Sequence, residues 1–494
     1  MYGALVLQRR LRRHKVSYSD KKATCPLLLI TIVVAGEERA SVTTNDLQAL
    51  LPSLEGFHRR FGRFFVRSEA RAWSHKYLIG LTLPIERKNV ENIAEQVGAP
   101  PRKLQEFLSD SPWDQEGCVE ELQGFVGEQM GSADGVLILD DTGFAKKGIW
   151  SAGVARQYSG TLGRVDNCQI GVFLGYASQH GHTLVDRRLY VPESWFQPEA
   201  ALRRKRASLP DGLSFKTKIE LAMEMLKAAK SRARLPYQWV TGDAAYGDCH
   251  DLRRMVDEQG KWYCFEVSST AEVWSSDPNW QVPESRRRGR PRTQKRPSGS
   301  SPDAVTVAQL AATFSKGEWI RHRVTEGAKG PREYEFARMR VIEKRHRAPG
   351  PWSWMMVRRP VGCWDPKEFK CYLSNAPETV ALAEMAWVGC LRWTIEEDFE
   401  LSKGEVGLDH YEVTKYRGWY HHITLVLLAL AFLKSVQWEW GEERNHGHGA
   451  RDPATSGGSS AAGCLDAGDR DRLARASATT QGDLSALSPR ALAA

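Results

Sequence analysis

Two periodicities divide this chain. From about residue 45 to 130 apolar residues recur at helical spacing. Phe57, Phe61, Phe64 and Phe65 fall at i, i+4, i+7 and i+8 on one face, with Arg59, Arg60, Arg63 and Arg67 interleaved. Asn89 stands where it can cap a helix carrying Val90, Ile93 and Val97. Gly98 can stop that helix, and Pro101 can open another bearing Leu104, Phe107 and Leu108. The pair reads as a helix-turn-helix, although most short helical hairpins read no DNA.

From 134 to 270 the pattern turns to strands alternating with helices. "DGVLILDD" is a buried strand ending in acids, and "CQIGVFLGYAS" and "HTLVDRRLYVP" are two further strands. "IELAMEMLKAAKS" is an amphipathic helix, "PYQWVTGDAAYGD" a strand that stops at Asp243, and "KWYCFEVSS" another strand. Three strands, a helix, then strands able to lie parallel to the first describe an α/β core with acids at strand ends. Residues 271 to 385 open with "SRRRGRPRTQKRPSGSSPD", a run too charged to pack, expected to be a loop until it meets a polyanion. Strands rich in Trp and Arg follow it. Residues 386 to 436 return to helix, and the Gly-, Ala- and Ser-rich tail from 441 is expected to be disordered.

Composition narrows the classes. The chain has 494 residues, 41% hydrophobic and 26% charged, which suits two or three globular domains. Its formal charge of +9 favours phosphate-bearing partners over cationic ones. Nine cysteines without a Cys-x-x-Cys pair argue against a zinc site or a disulfide framework and fit a reducing cytoplasm. The apolar runs at 25 to 36 and 423 to 433 are shorter than the roughly 20 residues of a spanning helix. The first follows "QRRLRRHK" and imitates a signal peptide; a buried segment or an early start codon accounts for it equally.

Acids carry the candidate chemistry. Asp140 and Asp141 end the first strand, Asp243 ends a later one, and Glu396, Glu397, Asp398 and Glu400 crowd one helix. Carboxylates converging at one sheet edge repel unless divalent cations neutralise them, and oxygen-only ligation suits Mg²⁺ or Mn²⁺. Two such ions about 4 Å apart support phosphoryl transfer. Each acid also has an ordinary reading. Asp140 or Asp141 before Thr142 and Gly143 is turn chemistry, and Asp243 is a normal strand end. Arg392, Glu396, Glu400 and Lys403 form a charged helix stripe beside the packing stripe Leu391, Ile395 and Phe399.

The blocks "LDDTGFAKKGIWSAGVARQYSGTLGRVDNCQIGVFLGYAS", "LYVPESW", "VTGDAAYGD" and "RWTIEEDFELSKGEVGLDHYEV" together resemble those of bacterial insertion-sequence transposases of the DDE type. The signature Tyr-x2-Arg-x3-Glu-x6-Lys of a related branch lies on Arg392, Glu396 and Lys403, with Gly389 in the tyrosine slot. The resemblance implies an α/β fold with a ribonuclease-H-like core over 131–270 and 386–440. It further implies a helical DNA-binding domain over 45–130 and a basic loop with a β-rich insertion over 271–385, between an extension (1–44) and a tail (441–494). Asp140, Asp243 and Glu396 would hold two Mg²⁺ ions, replaceable by Mn²⁺, with Asp141 an alternative first acid. Arg392 and Lys403 would hold phosphates, while Arg286, Arg287, Arg288, Arg290 and Arg292 would meet DNA. Glu397, Asp398 and Glu400 would be solvated or supporting, and Trp319, Trp352 or Trp354 could stack a flipped base. The partners implied are transposon ends, target DNA and a second copy of the chain, in the cytoplasm, with no membrane and no nucleotide cofactor; Gly-x4-Gly-Lys-Ser/Thr is absent. A DNA-binding relative without catalysis is the competing reading, and a glycosidase a weaker one.

Overall fold

The computed structural model describes residues 44–447 apart from 161–162, 283–294, 299–300, 328–329 and 347. Arg286, Arg287, Arg288, Arg290 and Arg292, the first 43 residues and those after 447 lie outside the described residues. Five helices come first: α1 (Thr44–Phe61), α2 (Ser68–Thr82), α3 (Val90–Gln96), α4 (Pro101–Ser109) and α5 (Gln115–Met130). Asn89 caps α3 by accepting the Asn92 N–H at 2.9 Å, and Gly98 turns the chain at φ +60°. The phenylalanine face is the buried one, with Phe57 4.8 Å from the ring of Phe125.

A mixed sheet follows, made of β1 (Val136–Ala145), β2 (Ala155–Ser159), β3 (Arg164–Ser178), β4 (Gly181–Tyr190), β5 (Trp239–Gly242) and β6 (Trp262–Val267). Between these strands lie α6 (Ala201–Ala207), α7 (Lys218–Arg232), α8 (Ala244–Gly247) and α9 (His250–Glu258). β3 is antiparallel to both β1 and β4, whereas β1, β5 and β6 are parallel, giving the order β4-β3-β1-β5-β6. One expectation fails here. β1 does not stop at its acids but runs on to Ala145, because β3 pairs with it from Val136↔Ala177 to Ala145↔Cys168. Asp140 and Asp141 are therefore strand residues and not turn residues.

Most strands of 271 to 385 continue the same sheet. β7 (Glu272–Trp274), β8 (Trp280–Gln281), β9 (Arg296–Pro297), β10 (Val305–Thr306) and α10 (Val307–Ala311) lead into β11 (Ile320–Gly327), β12 (Gly330–Arg345), β13 (Ala348–Pro360) and β14 (Lys370–Ser374). β8 and β9 instead pair with each other in a separate two-stranded sheet. β14 lies antiparallel along β6, from Cys371↔Val267 to Ser374↔Cys264, and extends it into a sheet of 12 strands. The edge that β6 would otherwise expose is thereby paired.

Three helices close the described chain: α11 (Leu382–Cys390), α12 (Arg392–Glu405) and α13 (Tyr416–Gly447). From Tyr416 to Trp438, α13 is long and apolar enough to cross a membrane, yet 89% of its most apolar stretch is buried inside the protein. The N-terminal helices supply part of that cover. Phe57 meets Phe432, and the Tyr77 hydroxyl shares a 2.9 Å hydrogen bond with His422 Nδ1. His421 stacks on Trp113 at 4.2 Å. Both histidines are buried and serve packing.

Candidate active site

Strand register positions the first two acids. Leu139 pairs with Gly242 in the last rung shared by the parallel strands β1 and β5, so Asp140 and Asp243 are the next residue on each. Glycines allow this approach. A Cβ on Gly242 would come within 3.2 Å of the Leu139 carbonyl, and one on Gly247 would run into the Glu266 carbonyl of β6. Asp243 caps α8, accepting the N–H of Ala245 at 3.0 Å and that of Tyr246 at 3.4 Å.

The third acid arrives on α12. Ile395 and Phe399 are buried, and Gly175 of β3 leaves the space that Ile395 fills. This packing turns the stripe Arg392, Glu396 and Lys403 toward β1. Arg392 reaches Asp140 Oδ2 at 3.3 Å through Nη1 and Glu396 Oε1 at 2.6 Å through Nη2, while Lys403 Nζ donates to Thr142 Oγ1 at 2.8 Å. Asp140 and Thr142 share one face of β1 because their spacing is two residues. Asp141 points the other way, to Lys218 Nζ of α7 at 2.9 Å.

Electrostatics mark the cluster as poorly neutralised. Burial, with Asp243 adding its charge, pushes the Asp140 carboxyl up to about 7 even though Arg392 opposes the shift. Burial raises Asp243 as well. Burial lowers the Lys403 ammonium below its usual range. Such a set gains from additional positive charge, and its donors are carboxylate oxygens, which fit hard divalent cations. Among the described residues no group of three His, Cys, Asp or Glu side chains is closed up for a metal. Arg392 fills the space between Asp140 and Glu396 instead, and both phosphate-binding candidates on α12 are engaged with β1.

Of the two roles expected of Asp398, solvated or supporting, the structure gives the second. Asp398 is buried, 2.9 Å from His182 Nδ1 and 3.2 Å from Lys434 Nζ, and pins α12 to β4 and α13. Burial alone would raise its pKa; the charges of His182 and Lys434 more than offset this and hold it below the usual range. Lys146 is drawn inward too, its Nζ 3.4 Å over the ring of Tyr411.

Beside Arg392 lies a cavity of about 160 Å³ that the sequence pattern did not reveal. Arg332, Arg358, Lys370 and Arg392 line it with Tyr334, Tyr372 and Trp393, against the single acid Glu266. Trp319, Trp352 and Trp354 are not among its lining residues. Gly389 also faces it, and a side chain there would meet Met356 at 3.1 Å and Tyr372 at 3.3 Å. The departure at the tyrosine slot was the signal available: Tyr372, brought by β14, already occupies that space.

The family model described as DDE superfamily endonuclease matches residues 52–331. A probable transposase for insertion sequence element IS701 of Microchaete diplosiphon is 30% identical over 201 residues, 40% of this chain and 49% of that protein. The match thus spans about half the relative's length. The match covers the blocks around Asp140 and Asp243 but not the one carrying Glu396, and the chain belongs to the DDE superfamily endonucleases.

Proposed function

We propose that the protein is an insertion-sequence transposase. It binds the terminal repeats of its element, cuts the strand at each 3′ end and joins the freed 3′-hydroxyl to target DNA, by a cut-and-paste route. The observation that carries this reading is the register of Asp140 beside Asp243, with Arg392 bridging Asp140 to Glu396. The strand order β4-β3-β1-β5-β6 supports a ribonuclease-H-like core, and the α3–α4 hairpin supports an N-terminal domain that contacts DNA.

Asp140, Asp243 and Glu396 would hold the divalent cations, Mg²⁺ or Mn²⁺. Ions bound there would activate the attacking water or 3′-hydroxyl and stabilise the leaving oxygen. The chain's own part is positioning. Arg392 and Lys403 bind backbone phosphates from the α12 side, and Arg358 and Lys370 hold the neighbouring nucleotide in the cavity. Asp398 fixes the rotation of α12 and so the aim of Glu396. Two copies acting together would bring both element ends into one complex.

The test incubates a labelled element end with a supercoiled target plasmid and Mg²⁺. The reading predicts label covalently joined to plasmid through the 3′ strand. Tight binding of the end with neither cutting nor joining, under Mg²⁺ or Mn²⁺, would assign the chain to the DNA-binding relatives without catalysis.

A further inference from the structure

Several arginines among the described residues are neutralised: Arg60, Arg63, Arg187, Arg188 and Arg232 each pair with a carboxylate. The short helix α6, "ALRRKRA", is different. Its four cations, Arg203, Arg204, Lys205 and Arg206, make no ion pair among the described residues, and neither do the nearby acids Glu193, Glu199 and Asp211. Arg203 and Arg204 are spent on structure. Arg203 donates to the carbonyls of Ile149 at 3.1 Å and Val154 at 2.8 Å, and Arg204 to those of Trp195 at 2.6 Å and Gln197 at 2.8 Å. Arg203 thereby clamps α6 to the loop 146–154, which continues directly from β1, and Arg204 clamps it to the segment 195–197. Asn167 Nδ2 holds the same loop through the Lys146 carbonyl at 2.6 Å and the Gly148 carbonyl at 3.0 Å.

What remains outward is Lys147 from the loop and Lys205 and Arg206 from the helix, all exposed, with the Arg206 guanidinium 4.1 Å over the ring of Trp150. A solvated charge run needs no such scaffold. Here three exposed cations, with no ion pair among the described residues, sit on a helix and loop joined by Arg203 at the end of the strand that carries Asp140.

We infer that this platform is a docking surface for the sugar-phosphate backbone of duplex DNA, separate from the Arg392 and Lys403 contacts at the acids. It deepens the transposase reading by giving the duplex a second, sequence-independent hold on the catalytic sheet. Charge complementarity names the occupant: exposed cations with no ion pair among the described residues match the phosphates of a duplex.

The full-length protein is titrated with a random-sequence duplex over a salt series, wild type against Lys147→Ala/Lys205→Ala/Arg206→Ala. The platform predicts binding about tenfold or more weaker and a log K against log salt slope smaller by about 2 to 3. Lys147→Arg/Lys205→Arg/Arg206→Lys should keep both. Independently of any effect on folding, duplex DNA should protect Lys147 and Lys205 of the wild type from acetylation. Unchanged slope and affinity in the triple alanine variant, or no protection, overturns the inference while leaving the transposase reading intact. Failure of the wild type to bind any duplex would instead remove DNA as partner and both readings with it.

Discussion

Asp140→Asn gives the most informative perturbation of the site in the absence of metal. Asp140 is buried, and its carboxyl titrates near 7 in the folded protein against an ordinary value near 3.8. A folded-state pKa above the unfolded one means that the folded state binds the extra proton. The associated stability is fully present below about pH 4 and is lost as pH rises toward 7. A displacement of about three pH units at about 1.4 kcal/mol each sets a ceiling near 4 kcal/mol, and about 2–4 kcal/mol is expected once relaxation of Arg392 is allowed. Asparagine keeps the shape and removes the charge. Chemical denaturation in a chelator should therefore show the variant gaining on wild type between pH 4 and 7 and holding a constant lead above that. Adding Mg²⁺ at pH 8 should stabilise wild type and leave the variant nearly unmoved. A wild-type-minus-variant difference that is flat with pH would refute the claim that Asp140 is a carboxylate held at high cost.

Asp398→Ala leaves Lys434 buried without its carboxylate and should cost about 3–5 kcal/mol, read as a lower urea midpoint; an unchanged midpoint would mean that the His182–Asp398–Lys434 cluster contributes nothing. Ile395→Ala opens a void against Gly175 and should cost about 2–5 kcal/mol, with Ile395→Val costing about 1. Gly389→Tyr, which restores the signature tyrosine, should destabilise by about 1–3 kcal/mol through contact with Met356 and Tyr372. Combining it with Tyr372→Ala should recover part of that loss, and strict additivity of the two would contradict the shared-space explanation.

The sequence made most elements legible where burial imposes a period. The α1 phenylalanines, the Asn89 cap with its Gly98 stop, and the Ile395 and Phe399 stripe all lie where their spacing puts them. The strand end before Asp243 and the helix spacing of Arg392, Glu396 and Lys403 are local signals, whereas Asp140, read as a strand end, lies inside β1. Long-range pairing was not legible. Nothing near Asp141 announces that β3 carries β1 on to Ala145, since that depends on a partner some thirty residues away. The cavity beside Arg392 draws on β12, β13, β14 and α12, and no single window contains it. Asp398 stayed between two roles for a related reason: in a row of four acids, only the tertiary neighbours His182 and Lys434 distinguish the buried one. The tethering of α12 to β1 by Arg392 on Asp140 and Lys403 on Thr142 was likewise not legible in the sequence.

The central claim is that Asp140, Asp243 and Glu396 form one metal-dependent cutting site. It is tested most directly by cleavage of a labelled DNA bearing the element's own end, with Mg²⁺, Mn²⁺ or chelator, comparing wild type with Asp140→Asn, Asp243→Ala and Glu396→Gln. The account predicts cutting at the 3′ end that requires the metal and vanishes in all three variants while each still binds the DNA. Cutting that persists in any one of them, or in chelator, would contradict it.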